Sequence, residues 1–74
     1  MNEIKYFDCI ALLEDLPDEN LRRGQVGTVV EIYNKGEAFE VEFVDCEGRT
    51  YGLLTLVPEQ FITLSHEAEE KVAA

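Results

Sequence analysis

The side chains able to carry covalent chemistry are few. His66 is the only histidine, and Cys9 and Cys46 are the only cysteines. A hydroxyl or thiol nucleophile needs a base within hydrogen-bond reach and a third group to orient that base. His66 stands in an alanine- and glutamate-rich tail, so nothing in the sequence assembles such a pair and a solvated tail residue is the better reading. A thiolate is disfavoured in so acidic a chain, and Cys9 reads as a buried small apolar residue. The cysteines form no CxxC motif, and in a reducing compartment both are expected as free thiols.

Carboxylates are the second source of chemistry. Glu40 and Glu42 fall two apart in an alternating run, and Glu31 can join them across a hairpin. Three converging carboxylates could hold Ca²⁺ or Mg²⁺, which take oxygen ligands, but no glycine-punctuated acidic loop is present to wrap an ion. A solvated outer face is the expectation, and no metal is assigned. Asp45, Glu47 and Gly48 look superficially like part of a calcium loop, yet they lack its further spaced oxygens and distant glutamate, so they read as a hairpin turn. The basic doublet Arg22-Arg23 is expected to offset nearby Asp18 and Glu19. With no nucleophile-base pair, metal-ligand cluster or phosphate-cradling loop, the expectation is a protein without catalytic activity or cofactor.

Composition bounds the rest. The chain has 74 residues, enough for one domain and one core. Its formal net charge is −10, from 16 acidic and 6 basic side chains, while 46% of residues are hydrophobic, too many for an unfolded polyelectrolyte. Such a field repels phosphate backbones and anionic membranes and attracts basic proteins. The expected partner is therefore a basic protein, with no direct nucleic-acid contact and no membrane association. Met1-Asn2-Glu3-Ile4-Lys5-Tyr6 lacks the pattern of a secretory signal, and no apolar run approaches a membrane span, so a cytoplasmic location is expected.

The elements that must position these residues read as strands. Expected spans are 8–13, 27–33, 38–44, 50–56 and 61–64. The segment from Glu14 to Gly24 is a long loop, with a helical turn started by Pro17 and with Leu16 and Leu21 pinning it to the core. Phe39-Glu40-Val41-Glu42-Phe43 alternates strictly, apolar inward and acidic outward. Asn34-Lys35-Gly36-Glu37 and Asp45-Cys46-Glu47-Gly48 supply hairpin turns, and Val57-Pro58-Glu59-Gln60 a single tight turn. The expected core is Ile10, Leu12, Val30, Ile32, Phe39, Val41, Phe43, Leu53, Leu54 and Ile62, with Phe61 also suited to the inward face. Gly24, Gly27 and Gly48 are assigned structural roles, Gly27 where a side chain would collide. Residues 1–64 are thus expected to form an all-β, five-stranded SH3-like (KOW-like) barrel, which removes exposed edges economically. Residues 65–74 are expected to be an acidic tail, with Ser65 a plausible cap for a helix too short to stand alone.

The string Tyr6-Phe7-Asp8, Leu12-Leu13-Glu14-Asp15-Leu16-Pro17, Leu21-Arg22-Arg23-Gly24-Gln25-Val26-Gly27-Thr28-Val29-Val30, Phe39-Glu40-Val41-Glu42-Phe43-Val44-Asp45 and Gly48-Arg49-Thr50-Tyr51 resembles the small bacterial proteins of domain of unknown function family 4926. The likeness runs from about Ile4 to Leu64. It carries over no catalytic residue. It implies a stand-alone bacterial barrel and the role of a neutralising partner, antitoxin or immunity-like, for the product of a neighbouring gene.

Tyr6, Phe7, Tyr33 and Tyr51 are the aromatics expected at the surface, where tyrosine suits interfaces. The candidate partner-binding residues are Glu31, Glu40, Glu42, Tyr33 and Tyr51. The leading functional expectation is a non-catalytic protein-binding module; the alternative is a KOW-like accessory of the ribosome or RNA polymerase, suggested by the Gly24 to Ile32 segment.

Overall fold

The structure is a computed structural model that describes residues 3–64, so expectations for the tail, including His66, lie outside the described residues. Five strands form, β1 Cys9–Leu12, β2 Val26–Tyr33, β3 Ala38–Val44, β4 Thr50–Leu56 and β5 Phe61–Leu64. Each matches an expected span to within two residues at either end. All pair antiparallel in one sheet of order β4-β3-β2-β1-β5, so the last strand lies beside the first. Short 3₁₀ turns at Pro17–Glu19 and Pro58–Gln60 occupy the two places where proline starts a turn. No helix among the described residues is long and apolar enough to cross a membrane.

The sheet curls strongly. Phe39 on β3 and Phe61 on β5 are separated by β2 and β1, which in a flat sheet would set their backbones about 14 Å apart. Their rings instead meet edge to face with centroids 5.6 Å apart. Curling gathers Ile10, Leu12, Val29, Phe39, Val41, Phe43, Leu56 and Phe61 into one buried cluster on the inner face. Leu21 joins it from the long loop, whose Leu16 and Leu21 bridge to each other, so the pinning role expected for them is fulfilled and Leu21 is core outright.

Three expected core positions are corrected. On β2 the buried valine is Val29, and Val30 is only half-buried. The register explains this: Val29 pairs with Val41 and Glu31 with Glu40, so Val30 is an extra residue without a partner. Such a bulge reverses the alternation. Gly27 and Val29 therefore face inward before it, and Ile32, opposite Phe39, faces inward after it. On β4, Leu53 is opposite Glu42 on the outer face and 57% exposed, while Leu54 and Leu56 stand opposite Val41 and Phe39 and point inward. On β5, Phe61 takes the inner place and Ile62 is 52% exposed. Ile32 and Leu54 pack against the core as partly buried residues.

Gly27 is a matter of space. A Cβ there would stand 2.6 Å from Val41 Cγ1 and 2.9 Å from Phe43 Cε2. Gly24 (φ 92°) lies in the loop turn before β2, and Gly48 takes φ 84° in the β3–β4 hairpin. That hairpin is closed by Asp45, whose Oδ1 accepts the Glu47 and Arg49 backbone N–H groups at 2.9 Å each.

Candidate functional site

Because β3 alternates strictly, burying Phe39, Val41 and Phe43 forces Glu40 and Glu42 to the outer face. The bulge at Val30 completes the site. By shifting the phase of β2 it turns Glu31 outward and sets it directly opposite Glu40. Without the extra residue Glu31 would share a face with Val29 and point inward. Thr28, opposite Glu42, and Thr55, opposite Glu40, lie on the same face, as does Leu53. Like charges directly opposite across strands destabilise a sheet, so this pairing is opposed by local energetics.

Hydroxyl groups offset that cost and spread the carboxylates apart. Tyr6 donates to Glu31 Oε1 at 2.7 Å, and the same oxygen accepts the Ile32 N–H at 3.1 Å. Thr55 donates to Glu40 Oε1 at 2.7 Å, where Tyr33 also donates at 3.4 Å. Thr50 donates to Glu42 Oε2. Glu31 thus leans toward Tyr6, while Glu40 and Glu42 lean toward β4. The ion pairs among the described residues join Arg49 to Asp45 and Glu47, so none neutralises Glu31, Glu40 or Glu42.

The electrostatics follow the geometry. The bond from Tyr6, and secondly that from the Ile32 N–H, hold the Glu31 carboxyl below the usual carboxylate range. The same bond to Glu31 raises the Tyr6 phenol. Tyr33 is raised by partial desolvation first and by the Glu40 charge second. At neutral pH Tyr6 and Tyr33 are therefore donors and Glu31 an acceptor, a fixed pattern of neutral hydroxyls against carboxylates.

Four of the five candidate residues come together: Glu31, Tyr33, Glu40 and Glu42. Tyr51 does not join them. It is the extra residue of a second irregularity, where Phe43 pairs with Gly52 and Val44 with Thr50. Its ring lies 6.3 Å from that of inward-facing Phe43, and its hydroxyl accepts Gln25 Nε2 at 3.0 Å. Tyr6, Thr50, Thr55 and Leu53 are the members of the site that strand reasoning missed. Tyr6 reads in the sequence as an exposed aromatic, and its bond to Glu31 spans 25 positions.

Among the described residues no group of three or more His, Cys, Asp or Glu side chains is disposed to hold a metal ion, in keeping with the divergence of the three carboxylates. Asp45 is committed to its own turn: its bonds from the Arg49 and Glu47 N–H groups, the Arg49 bond foremost, lower its carboxyl pKa. Cys9 and Cys46 are free thiols; Cys46 is exposed, and Cys9 is half-buried on the outer face opposite Thr28 and Leu64, less enclosed than expected. Arg22 and Arg23 make no ion pair with Asp18 or Glu19; the loop is organised instead by the Arg23 N–H donating to Asp15 Oδ1 at 2.9 Å and the Arg22 N–H to Gln25 Oε1.

The family described as Domain of unknown function (DUF4926) matches residues 6–63. The chain belongs to that family. The match takes in all five strands but for the last residue of β5, and every member of the outer-face site, from Tyr6 through Thr55. No curated protein and no solved structure matches this DUF4926 chain.

Proposed function

We propose that this DUF4926 protein is a non-catalytic cytoplasmic module with an SH3-like barrel that binds a basic protein, as the neutralising partner of a toxin-like neighbour does. The curled antiparallel sheet with β5 beside β1, and the 3₁₀ turn leading into β5, support the barrel reading. One observation carries the binding reading: Glu31 stands directly opposite Glu40, with Glu42 beside it, on an exposed face where no cation of the described residues offsets them. A basic surface docking there neutralises the group and is steered toward it beforehand. Tyr6 and Tyr33 border the carboxylates and supply rigid, half-exposed rings of the kind that anchor interfaces. The alternative is a KOW-like accessory of the ribosome or RNA polymerase, and the charge of the chain argues against its making direct RNA contact.

The test is the association rate with the partner recovered from the host. Glu40→Lys combined with Glu42→Lys, both outward-facing, should leave the circular dichroism spectrum unchanged and slow association about tenfold or more at low salt, since reversed steering charges act on the on-rate. Glu69→Lys with Glu70→Lys should change the rate far less. Equal rates for the hairpin variant and the unmodified protein would reduce this face to solvated surface.

A further inference from the structure

The sheet leaves β4 at one edge. Among the described residues the backbone of Thr50–Leu56 bonds only along its ladder with β3, so the opposite side of the strand is an open row of donors and acceptors. Natural sheets blunt such rows with lysine, proline, charge or brevity. Here the edge is seven residues long, Thr-Tyr-Gly-Leu-Leu-Thr-Leu, without a charged residue or a proline, in a chain of which 30% is charged. The side-chain decoration next to it is equally specific. Glu40 and Glu42 are drawn toward this edge by the Thr55 and Thr50 hydroxyls, and exposed Leu53 lies between those two threonines on the strand.

We propose that β4 accepts an extended segment of the partner as an additional strand, and that the segment carries an apolar residue opposite Leu53 with a lysine or arginine two positions to either side. The inference rests on the reading of the outer face as a docking site for a basic protein, and it specifies how that protein is held. An added strand pairs through main-chain bonds whatever its sequence, and its alternate side chains supply the selection. Those on the outer face recur every second residue. The one opposite Leu53 covers a leucine that is 57% exposed. Its neighbours on that face fall near Thr55 on one side and near Thr50 on the other, beside the carboxylates of Glu40 and Glu42. From the added strand β3 is two spacings away, about 9.5 Å, a gap that a long basic side chain closes because both carboxylates already lean toward it. A second copy of this chain is the wrong occupant, since pairing β4 with β4 would bring two sets of Glu40 and Glu42, and two chains of net charge −10, against each other. The β5 edge is also uncharged, but it is four residues long and, among the described residues, no side chain of β5 itself bonds a glutamate, so it serves as the internal control.

The probe is a synthetic octapeptide built around Arg-Thr-Val-Thr-Arg, with two twins N-methylated on alternate residues so that each blocks the hydrogen bonds of one edge. Titrated into the full chain and followed by amide chemical shifts, the parent peptide should perturb β4 and leave β5 unmoved. One twin should bind at least tenfold more weakly than the other. Leu53→Asn, which removes the apolar contact without adding charge, should weaken binding of the parent about tenfold or more, and Ile62→Asn should not. Both twins binding as well as the parent would overturn strand addition; if Glu40→Lys with Glu42→Lys still abolished that binding, the acidic-face reading would stand without it. Absence of binding by the parent, perturbation centred on β5, or self-association of the protein through β4 would each overturn the inference, while the association test with the native partner would remain an independent judge of the face itself.

Discussion

Phe39, Glu40, Val41, Glu42 and Phe43 are consecutive on one strand, yet they belong to two regions with opposite physics. The inward three are essentially removed from solvent, and their neighbours are apolar side chains brought in by the curl of the sheet. The outward two are carboxylates, Glu40 directly opposite a third across the hairpin, and among the described residues their hydrogen-bond donors are hydroxyls. Burial explains every inner residue through its contribution to stability. The outer face gathers like charges that pairing disfavours, and so its composition asks for a reason outside the fold.

The largest separation between the faces should appear in core truncation. Phe39→Ala removes a ring that packs against Phe61 and should destabilise the protein by about 3–5 kcal/mol, measured by chemical denaturation. Leu53→Ala deletes a comparable amount of apolar side chain from the outer face and should stay within about 0.5 kcal/mol. Similar costs for the two would mean that Leu53 is covered and that the division into faces is wrong.

A smaller effect tests whether the inner face is filled. Gly27→Val should cost about 1–3 kcal/mol, because the new side chain begins inside contact distance of Val41 and Phe43. Gly27→Ala combined with Val41→Ala should recover part of what Gly27→Ala alone loses, since the two sites share the same space. An unchanged denaturation midpoint for Gly27→Val would show that the strand gives way there.

Which side chains belong to which face was legible in the sequence where apolar and polar residues alternate singly. Phe39-Glu40-Val41-Glu42-Phe43 admits one phase, and that phase is the one observed. It failed where two apolar residues are adjacent. Val29-Val30, Leu53-Leu54 and Phe61-Ile62 each satisfy either phase, and periodicity alone cannot choose between the two. On β2 the choice is further decided by a bulge, and a bulge is fixed by the pairing with β3 more than by any residue type. The acidic pair on β3 was therefore readable, and its junction with Glu31 was foreseen only as a possibility of the hairpin. The hydroxyls were not readable, because Tyr6 meets Glu31 across 25 positions and Thr55 meets Glu40 across 15. Tyr51 is exposed as expected, but as the extra residue of the β3–β4 irregularity it stands apart from the carboxylates, a separation that strand counting does not reveal.

The smallest effect separates the outer face into its two halves. Glu31 is held by a phenol from a preceding segment, whereas Glu40 and Glu42 are held by threonines of β4. In the folded protein the Tyr6 hydroxyl, as the foremost cause, keeps the Glu31 carboxyl below its ordinary value. A carboxyl lowered by folding contributes stability above its ordinary pKa, and that contribution is lost as pH falls through the folded value. Tyr6→Phe should therefore raise the Glu31 pKa part of the way back, the Ile32 N–H bond remaining, and should shrink the stability lost on acidification. On the alkaline side the raised Tyr6 phenol contributes stability below the ordinary tyrosine value that is lost as pH rises through the folded one, and the phenylalanine variant should lack that loss. Carbon-detected titration of the Glu31 carboxyl reads the first effect directly. If Glu31 titrated at the same pH in both proteins, Tyr6 would be only a neighbour, and the Ile32 N–H would be what holds the Glu31 carboxylate.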